Sequence, residues 1–439
     1  MKGCLIAALL LLGAPALAQD AARPGAVPGA VPDVVPDVPP GADMPEVEML
    51  HGWDGPESDA VLAVLGAAFE SRTPYRWTDG GAAGEALVVS RIIGGDPPAA
   101  VQIEHGRKAA ELARGGFLLD ITELAERGGW RDRLVTPTLL DACTVDGRVY
   151  CVPVTLRAGG WLTLSRAAFA RAGLDVPSDW AGLSALAGPL DAAGVTALEV
   201  EPAAGPLSGL LAALVMEAGG RAAWVAALRN GDVEALTDPA PTRGFEAFAT
   251  ARDLARPPGE SGVADGRLGR NLVIGDAPGT GGGGGAAAEL SGDGSWGKLR
   301  DARRTAGGDH KCLPGLGGSG PLAVTGDAFY FPVRRDADLE PAQLALAAFL
   351  FEPEVQVALS AALGVLPARR DVDITSLYAC ARKGLVAVAT RGAVPARDLM
   401  VPLAAAGPLD ELLVAFWNDA DRGAADLQAE YIDILERTR

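Results

Sequence analysis

The chain has 439 residues, 49% of them hydrophobic and 21% charged, with a formal net charge of −18. That length predicts about two or three domains, and the composition is that of a globular rather than a disordered protein. The acidic excess argues against nucleic-acid partners, which need Lys and Arg in surplus, and it repels anionic membranes.

Lys2, the apolar run 5–12 and Pro15-Ala16-Leu17-Ala18 make a cationic start, an apolar centre and small residues at the −3 and −1 positions. This pattern predicts a secretory signal peptide over residues 1–18, with Gln19 as the first residue of an exported mature chain. The apolar stretch is too short to span a bilayer. Residues 19–44, rich in Pro, Gly, Ala and Val, read as a linker, and the globular part starts near Pro45.

From there strands and helices alternate, which predicts an α/β fold. Residues 47–51 read as a strand and 57–71 as a helix with Val61, Leu62, Leu65 and Phe69 on one stripe. Short strands are expected at 87–90 and 99–103. Two more, at 149–156 and 161–165, surround Ala158-Gly159-Gly160, and Trp161 reads as core. Helices follow at 180–193 and 206–218. The glycine run 281–285 lacks the Lys-Ser/Thr of a phosphate loop and reads as an insertion. Beyond it, 328–333 predicts a strand, and 341–350, 353–363 and 409–435 predict amphipathic helices.

Of the five cysteines, Cys4 leaves with the signal peptide. Cys143, Cys151, Cys312 and Cys380 remain in an exported chain, with three pairings open. Cys143 and Cys151 flank Val145-Asp146-Gly147-Arg148, whose Asp-Gly is a hairpin signal. Opposite each other on two strands they bridge that hairpin, and Cys312 then pairs with Cys380.

The histidines His51, His105 and His310 form no HxxxH pair, and no Cys-x-x-Cys occurs. The sequence therefore supports no metal site and asks for no cofactor. A Gly-x-Ser-x-Gly elbow and a dinucleotide fingerprint are likewise missing. Scattered carboxylates are compatible with a glycosidase pair, but the balance favours a binding protein and not an enzyme.

Five ordered segments carry a family resemblance: Val47-Glu48-Met49-Leu50-His51-Gly52-Trp53…Glu57; Ser90-Arg91 with Gly95 to Ile103; Asp146-Gly147-Arg148-Val149-Tyr150-Cys151-Val152-Pro153-Val154; Gly292-Asp293…Trp296; and Asp327-Ala328-Phe329. Together they resemble the family 1 extracellular solute-binding proteins of ABC importers, and within them the glucose/mannose-binding branch. The first is similar to that branch's His-Trp-Trp…Gly-Gly-Glu opening, with Gly52 in place of one Trp. The third resembles its Asp-Gly-x-Tyr-Tyr-x-x-Pro-Val crossover, and the fourth its Gly-Asp-Trp with two residues inserted. Cys312 and Cys380 stand where the branch keeps a disulfide.

The resemblance implies an α/β, two-lobe periplasmic-binding-protein fold of type II, with hinge strands and an inter-lobe cleft. The N-lobe would take residues 45–155 and 323–372, and the C-lobe 156–322 and 373–439. A monomer would capture a sugar or sugar-like solute and hand it to an ABC permease in the inner membrane. An alternative is a scaffold with altered or lost ligand, acting as a sensor.

Sugar C–H faces want aromatic rings and hydroxyls want charged acceptors. Trp296 is the stacking candidate, and Glu57 and Asp327 the hydroxyl acceptors, although Glu57 also suits a helix start. Gln102 and Glu104 end a strand toward the cleft, Arg157 lies beyond the crossover, and Trp53 lines the site. Arg270 stands near a cleft tryptophan of the branch. Leu363-Gly364-Val365-Leu366-Pro367 replaces Lys-Gly-Ser-x-Pro, and a family histidine falls near Val401-Pro402. Weak binding of plain glucose is the expectation, with a sugar acid, held bidentately by an arginine, as a candidate.

Overall fold

A computed structural model describes residues 44–103, 107–255, 286–291, 305–334 and 339–439. The expected signal peptide, the linker before Met44, the glycine run 281–285, Glu104, Arg270 and Trp296 lie outside these residues.

Strand β1 (Glu46–His51) is followed by the helix Pro56–Glu70. Pro56 suits the first helical turn, where its missing N–H costs nothing, and Leu62, Leu65 and Phe69 form the buried stripe. Strand β2 (Arg76–Ala82) has no counterpart among the expected strands. Its Asp79-Gly80-Gly81 is poor strand sequence, and the strand exists because its backbone pairs in parallel with β1 at the edge of the sheet.

The strand expected at 87–90 is instead part of a helix, Glu85–Gly94. Val88 and Ile92, four apart, are buried while Leu87 and Ile93 face solvent, so the burial period is helical. The β-branched run alone is misleading. Strand β3 (Ala100–Gln102) confirms the next element.

Strands β4 (Thr144–Val145) and β5 (Arg148–Val149) pair antiparallel around Asp146 and Gly147, both at positive φ. This is the left-handed two-residue turn that Asp-Gly favours. The single strand expected at 149–156 is broken into β5, β6 (Cys151–Pro153) and β7 (Thr155–Ala158). Pro153 has no N–H to donate, and the Val154 and Thr155 amides turn to the Asp327 carbonyl. Strand β8 (Trp161–Ser165) follows.

The later strands are β9 (Leu198–Val200), β10 (Ala288–Ser291), β11 (His310–Leu313), β12 (Leu322–Thr325), β13 (Ala328–Tyr330), β14 (Leu366–Pro367) and β15 (Ala393–Pro395). The helix expected at 180–193 divides into Trp180–Ala185 and Ala187–Ala192. That expected at 409–435 divides into Leu403–Asn418 and Ala424–Arg437. At the second break the buried Arg252 donates to the carbonyls of Asp419 and Arg422, satisfying groups that a continuous helix would have bonded internally.

Apart from the two-stranded β4–β5 hairpin, three sheets organise these strands. The first has the order β2-β1-β3-β13-β6, the second β11-β8-β10-β9 and the third β14-β7-β12-β15. Between Cys151 and Ser165 the chain passes from the first sheet through the third into the second, and β12 to β13 returns it from the third to the first. Two buried clusters result. One contains Val47, Phe69, Val101, Trp130, Phe329 and Phe349, and the other Leu162, Phe169, Trp224, Phe245, Phe416 and Tyr431.

Strand β12 serves both clusters by alternation: Leu322 and Val324 join the first, and Ala323 the second. Helix Ala379–Arg391 packs with the first cluster through Cys380, Leu385 and Val388. Trp161 is wholly buried. Cys143 bonds to Cys151 across the hairpin, and Cys312 to Cys380.

Candidate functional site

The short connection between β12 and β13 forms the floor of a cavity of about 370 Å³, lined by Gly52, Gln102, Arg157, Thr325, Gly326 and Asp327 among others. Gly326 has no room for a side chain, since a Cβ there would lie 2.2 Å from the Thr155 carbonyl oxygen. This close approach seats Asp327 against the β6–β7 junction. The Asp327 amide donates to Thr155 Oγ1 at 2.9 Å, and its carbonyl accepts from the Val154 and Thr155 amides.

The Asp327 carboxylate gathers three side chains. Gln102 Nε2 donates to Oδ1 at 2.9 Å, and Thr155 Oγ1 donates to Oδ2 at 2.6 Å. The Arg157 guanidinium lies along the same carboxylate, with Nε 3.1 Å and Nη2 3.0 Å from Oδ2. The antiparallel registers bring these groups together, setting Phe329 opposite Gln102 and Thr325 opposite Arg157. Asp327 is thus less an open acceptor than a hub that orients Gln102 and Arg157 and balances the arginine's charge.

Gln102 also accepts from the Gly52 amide at 2.9 Å through Oε1, which fixes the orientation of its amide. Behind Gly52, the Trp53 amide donates to His51 Nδ1, so the ring proton sits on Nε2 and is directed to Asp79 Oδ1 at 3.0 Å. The chain entering the cavity from β1 is therefore pinned from both sides.

Asp398 and Leu399 also line the cavity, from the short 3-10 turn Arg397–Leu399. Arg397 is 3% exposed and pairs with both Asp398 and Asp410, while the Asp398 side chain remains 63% exposed. Buried guanidinium and exposed carboxylate together hold an acceptor at the cavity mouth.

Of the expected site residues, Gln102, Arg157 and Asp327 come together here. Trp53 is 5% exposed, stacked on His51 and edge-on to Phe329, and supports the floor from behind. Glu57 is exposed in the first turn of its helix and does not line this cavity. Segment 363–367, where the resemblance has a lysine, ends in β14, which pairs with β7. Thr155, Thr325 and Asp398 were missed. Thr155 was detectable as the one polar residue in the apolar stretch 151–156, whereas Asp398 carries no local signal.

His310 lies with Cys312 and Cys380, its Nε2 3.1 Å from the Tyr378 hydroxyl. Both sulfurs are joined in the disulfide, and a metal binds thiolate rather than disulfide sulfur.

The sequence model of the bacterial extracellular solute-binding proteins matches residues 54–357. A probable sugar-binding periplasmic protein of Rhizobium meliloti is 29% identical over 346 residues, which cover 77% of this chain and 80% of that protein. One of Brucella suis is 28% identical over 349 residues, covering 78% and 79%. Among solved structures, the bacterial solute receptor AcbH, described as having an exclusive preference for β-D-galactopyranose, superposes with a TM-score of 0.70 at 15% identity. The match covers 90% of this chain and 99% of AcbH. A chitin oligosaccharide binding protein gives a TM-score of 0.67 at 18% identity, covering 89% of this chain and 98% of that one. At such identities these structures speak to the fold: two α/β lobes with a cleft between them.

Proposed function

The chain belongs to the bacterial extracellular solute-binding proteins, and we propose from that premise that it is the periplasmic binding component of an ABC importer, holding a neutral sugar over Asp327. Binding without turnover and delivery to an inner-membrane permease by a monomer complete this reading. The sugar-binding relatives support it. We assign the lobes to 45–155 with 323–372 and to 156–322 with 373–439, with helix Ala379–Arg391 braced against the first core.

The observation that carries the ligand class is the Asp327–Arg157 pair at 3.0 Å. An arginine offered to a sugar acid would need its charge unanswered, and here a carboxylate already meets it. A sugar hydroxyl can donate to one group and accept from another, so a compensated array of amide, carboxylate and guanidinium suits neutral polyhydroxylated solutes. The sugar acid suggested by the arginines thereby loses its support at Arg157.

Thermal denaturation against neutral hexoses, pentoses and polyols, with gluconate and glucuronate beside them, tests the reading. A ligand at a hundred times its Kd stabilises the native state by about 2.7 kcal/mol, a readily measured rise in Tm. A neutral sugar is expected to give that rise, and Asp327→Ala to abolish it. Larger stabilisation by the acids would overturn the neutral class, and no response to any sugar would overturn the function.

A further inference from the structure

We propose that the ligand is an oligosaccharide: it runs from the Asp327 cavity into a second, adjoining cavity, with Asp398 at the junction. The inference rests on the sugar-binding reading above and adds the size of the solute to it. The second cavity measures about 410 Å³. One side is lined from helices Arg107–Arg114 and Thr138–Ala142 of the first core, and the other by Arg229, Pro395 and residues 398–401. Asp398 and Leu399 line both cavities. Each cavity alone sits near the lower end of the roughly 300–1,000 Å³ typical of small-molecule sites. One monosaccharide would occupy the first and leave the second to water.

The second cavity is furnished for hydroxyls. Arg114, Thr138, Asp141 and Arg229 bring donors and acceptors to its walls. Two of its charges are answered: Arg114 pairs with Asp146 at 2.9 Å, and Asp141 with Arg131 at 2.6 Å; of the other wall charges, Glu111 and Arg229 are of opposite sign. That matches the compensated pair in the first cavity and again favours a neutral solute.

At the junction, Arg397 orients the Asp398 carboxylate from the protein side, with Nε 2.8 Å from Oδ1. The Asp398 side chain as a whole is 63% exposed. A carboxylate has about four acceptor positions, so Asp398 can accept a hydroxyl from the sugar unit on either side. Such charge-assisted O–H···O⁻ bonds are the stronger kind, and an acceptor already held in place loses less side-chain freedom on forming them. Buried Arg397, also tied to Asp410, provides that hold.

Titration calorimetry on the full chain with glucose and maltose, xylose and xylobiose, and N-acetylglucosamine and chitobiose tests the inference. In the series that binds, the disaccharide is expected to bind at least about tenfold more tightly than its monosaccharide, a difference of about 1.4 kcal/mol. Ala142→Trp, which fills the second cavity, should erase that advantage and leave the monosaccharide's Kd unchanged. Glu111→Trp, at an exposed helix position, does the same should the first variant fail to fold. Asp398→Asn should weaken the disaccharide about tenfold, a charge-assisted bond being replaced by a neutral one. A monosaccharide that binds as tightly as its disaccharide, or a filled cavity that keeps the advantage, overturns the two-cavity ligand. Failure of every saccharide to bind instead overturns the sugar function on which it rests.

Discussion

Arg369 shows how a single side chain can tie distant segments of the molecule together. Its side chain is buried, its Nη1 donates to the Phe351 carbonyl, and its guanidinium lies 4.8 Å over the Phe351 ring. Asp371 completes the arrangement bidentately at 2.8 and 2.6 Å. The hydrogen bonds from Arg369 hold the Asp371 carboxyl below the usual carboxylate range, with Arg133 adding to the effect and burial opposing it. A carboxyl depressed in the folded state contributes stability that is present above its unfolded pKa of about 3.9 and is lost as pH falls through the folded value. Asp371→Asn should therefore cost about 1–2 kcal/mol at pH 7, less than a fully buried pair because Asp371 is partly exposed. Urea denaturation at pH 7 and at stepwise lower pH checks this. The gap between the two proteins should narrow below pH ~4, and a gap of constant size would assign the loss to packing instead. Neither the pair nor its acid dependence is legible from Arg369-Arg370-Asp371 in sequence, because the ring and carbonyl against which Arg369 is buried belong to Phe351.

Among the elements, the two disulfides differ in what they close. Cys143–Cys151 staples a hairpin over a sequence separation of 8, and Cys312–Cys380 joins β11 to helix Ala379–Arg391 over a separation of 68. Chain entropy in the unfolded state predicts about 2.6 kcal/mol for the first and about 4.4 kcal/mol for the second. Replacing both cysteines of the long bridge by serine should accordingly lower the denaturation midpoint more than the same change in the hairpin. The reverse order would mean that the turn around Asp146 and Gly147 depends on its bridge for more than entropy. The hairpin pairing was readable locally, from Asp-Gly between two cysteines. The helix at Glu85–Gly94 was not, because Val88-Val89 and Ile92-Ile93 satisfy a strand pattern until burial selects one face.

On the scale of the whole molecule, two cores meet through the third sheet, and β7 and β12 belong to its centre. Few strands to bend, with a cavity walled by elements from both sides, is an arrangement suited to hinge closure. Small-angle scattering with a saturating sugar should give a smaller radius of gyration than without it. An unchanged radius would mean that the ligand enters a cleft that is already closed.

The sequence by itself determined the alternation of strands and helices, the hairpin disulfide, and three of the residues around the cavity. These follow from local turn chemistry, from periodicity and from ordered family segments, all of which are properties of neighbours along the chain. Only the tertiary structure decided that Asp327 is occupied by Gln102, Thr155 and Arg157, and that Asp398 lines the same cavity. Gln102 and Asp327 alone are separated by 225 positions. A carboxylate's role depends on which donors reach it in space. Sheet register and burial settle that, and neither is written in the residues beside it.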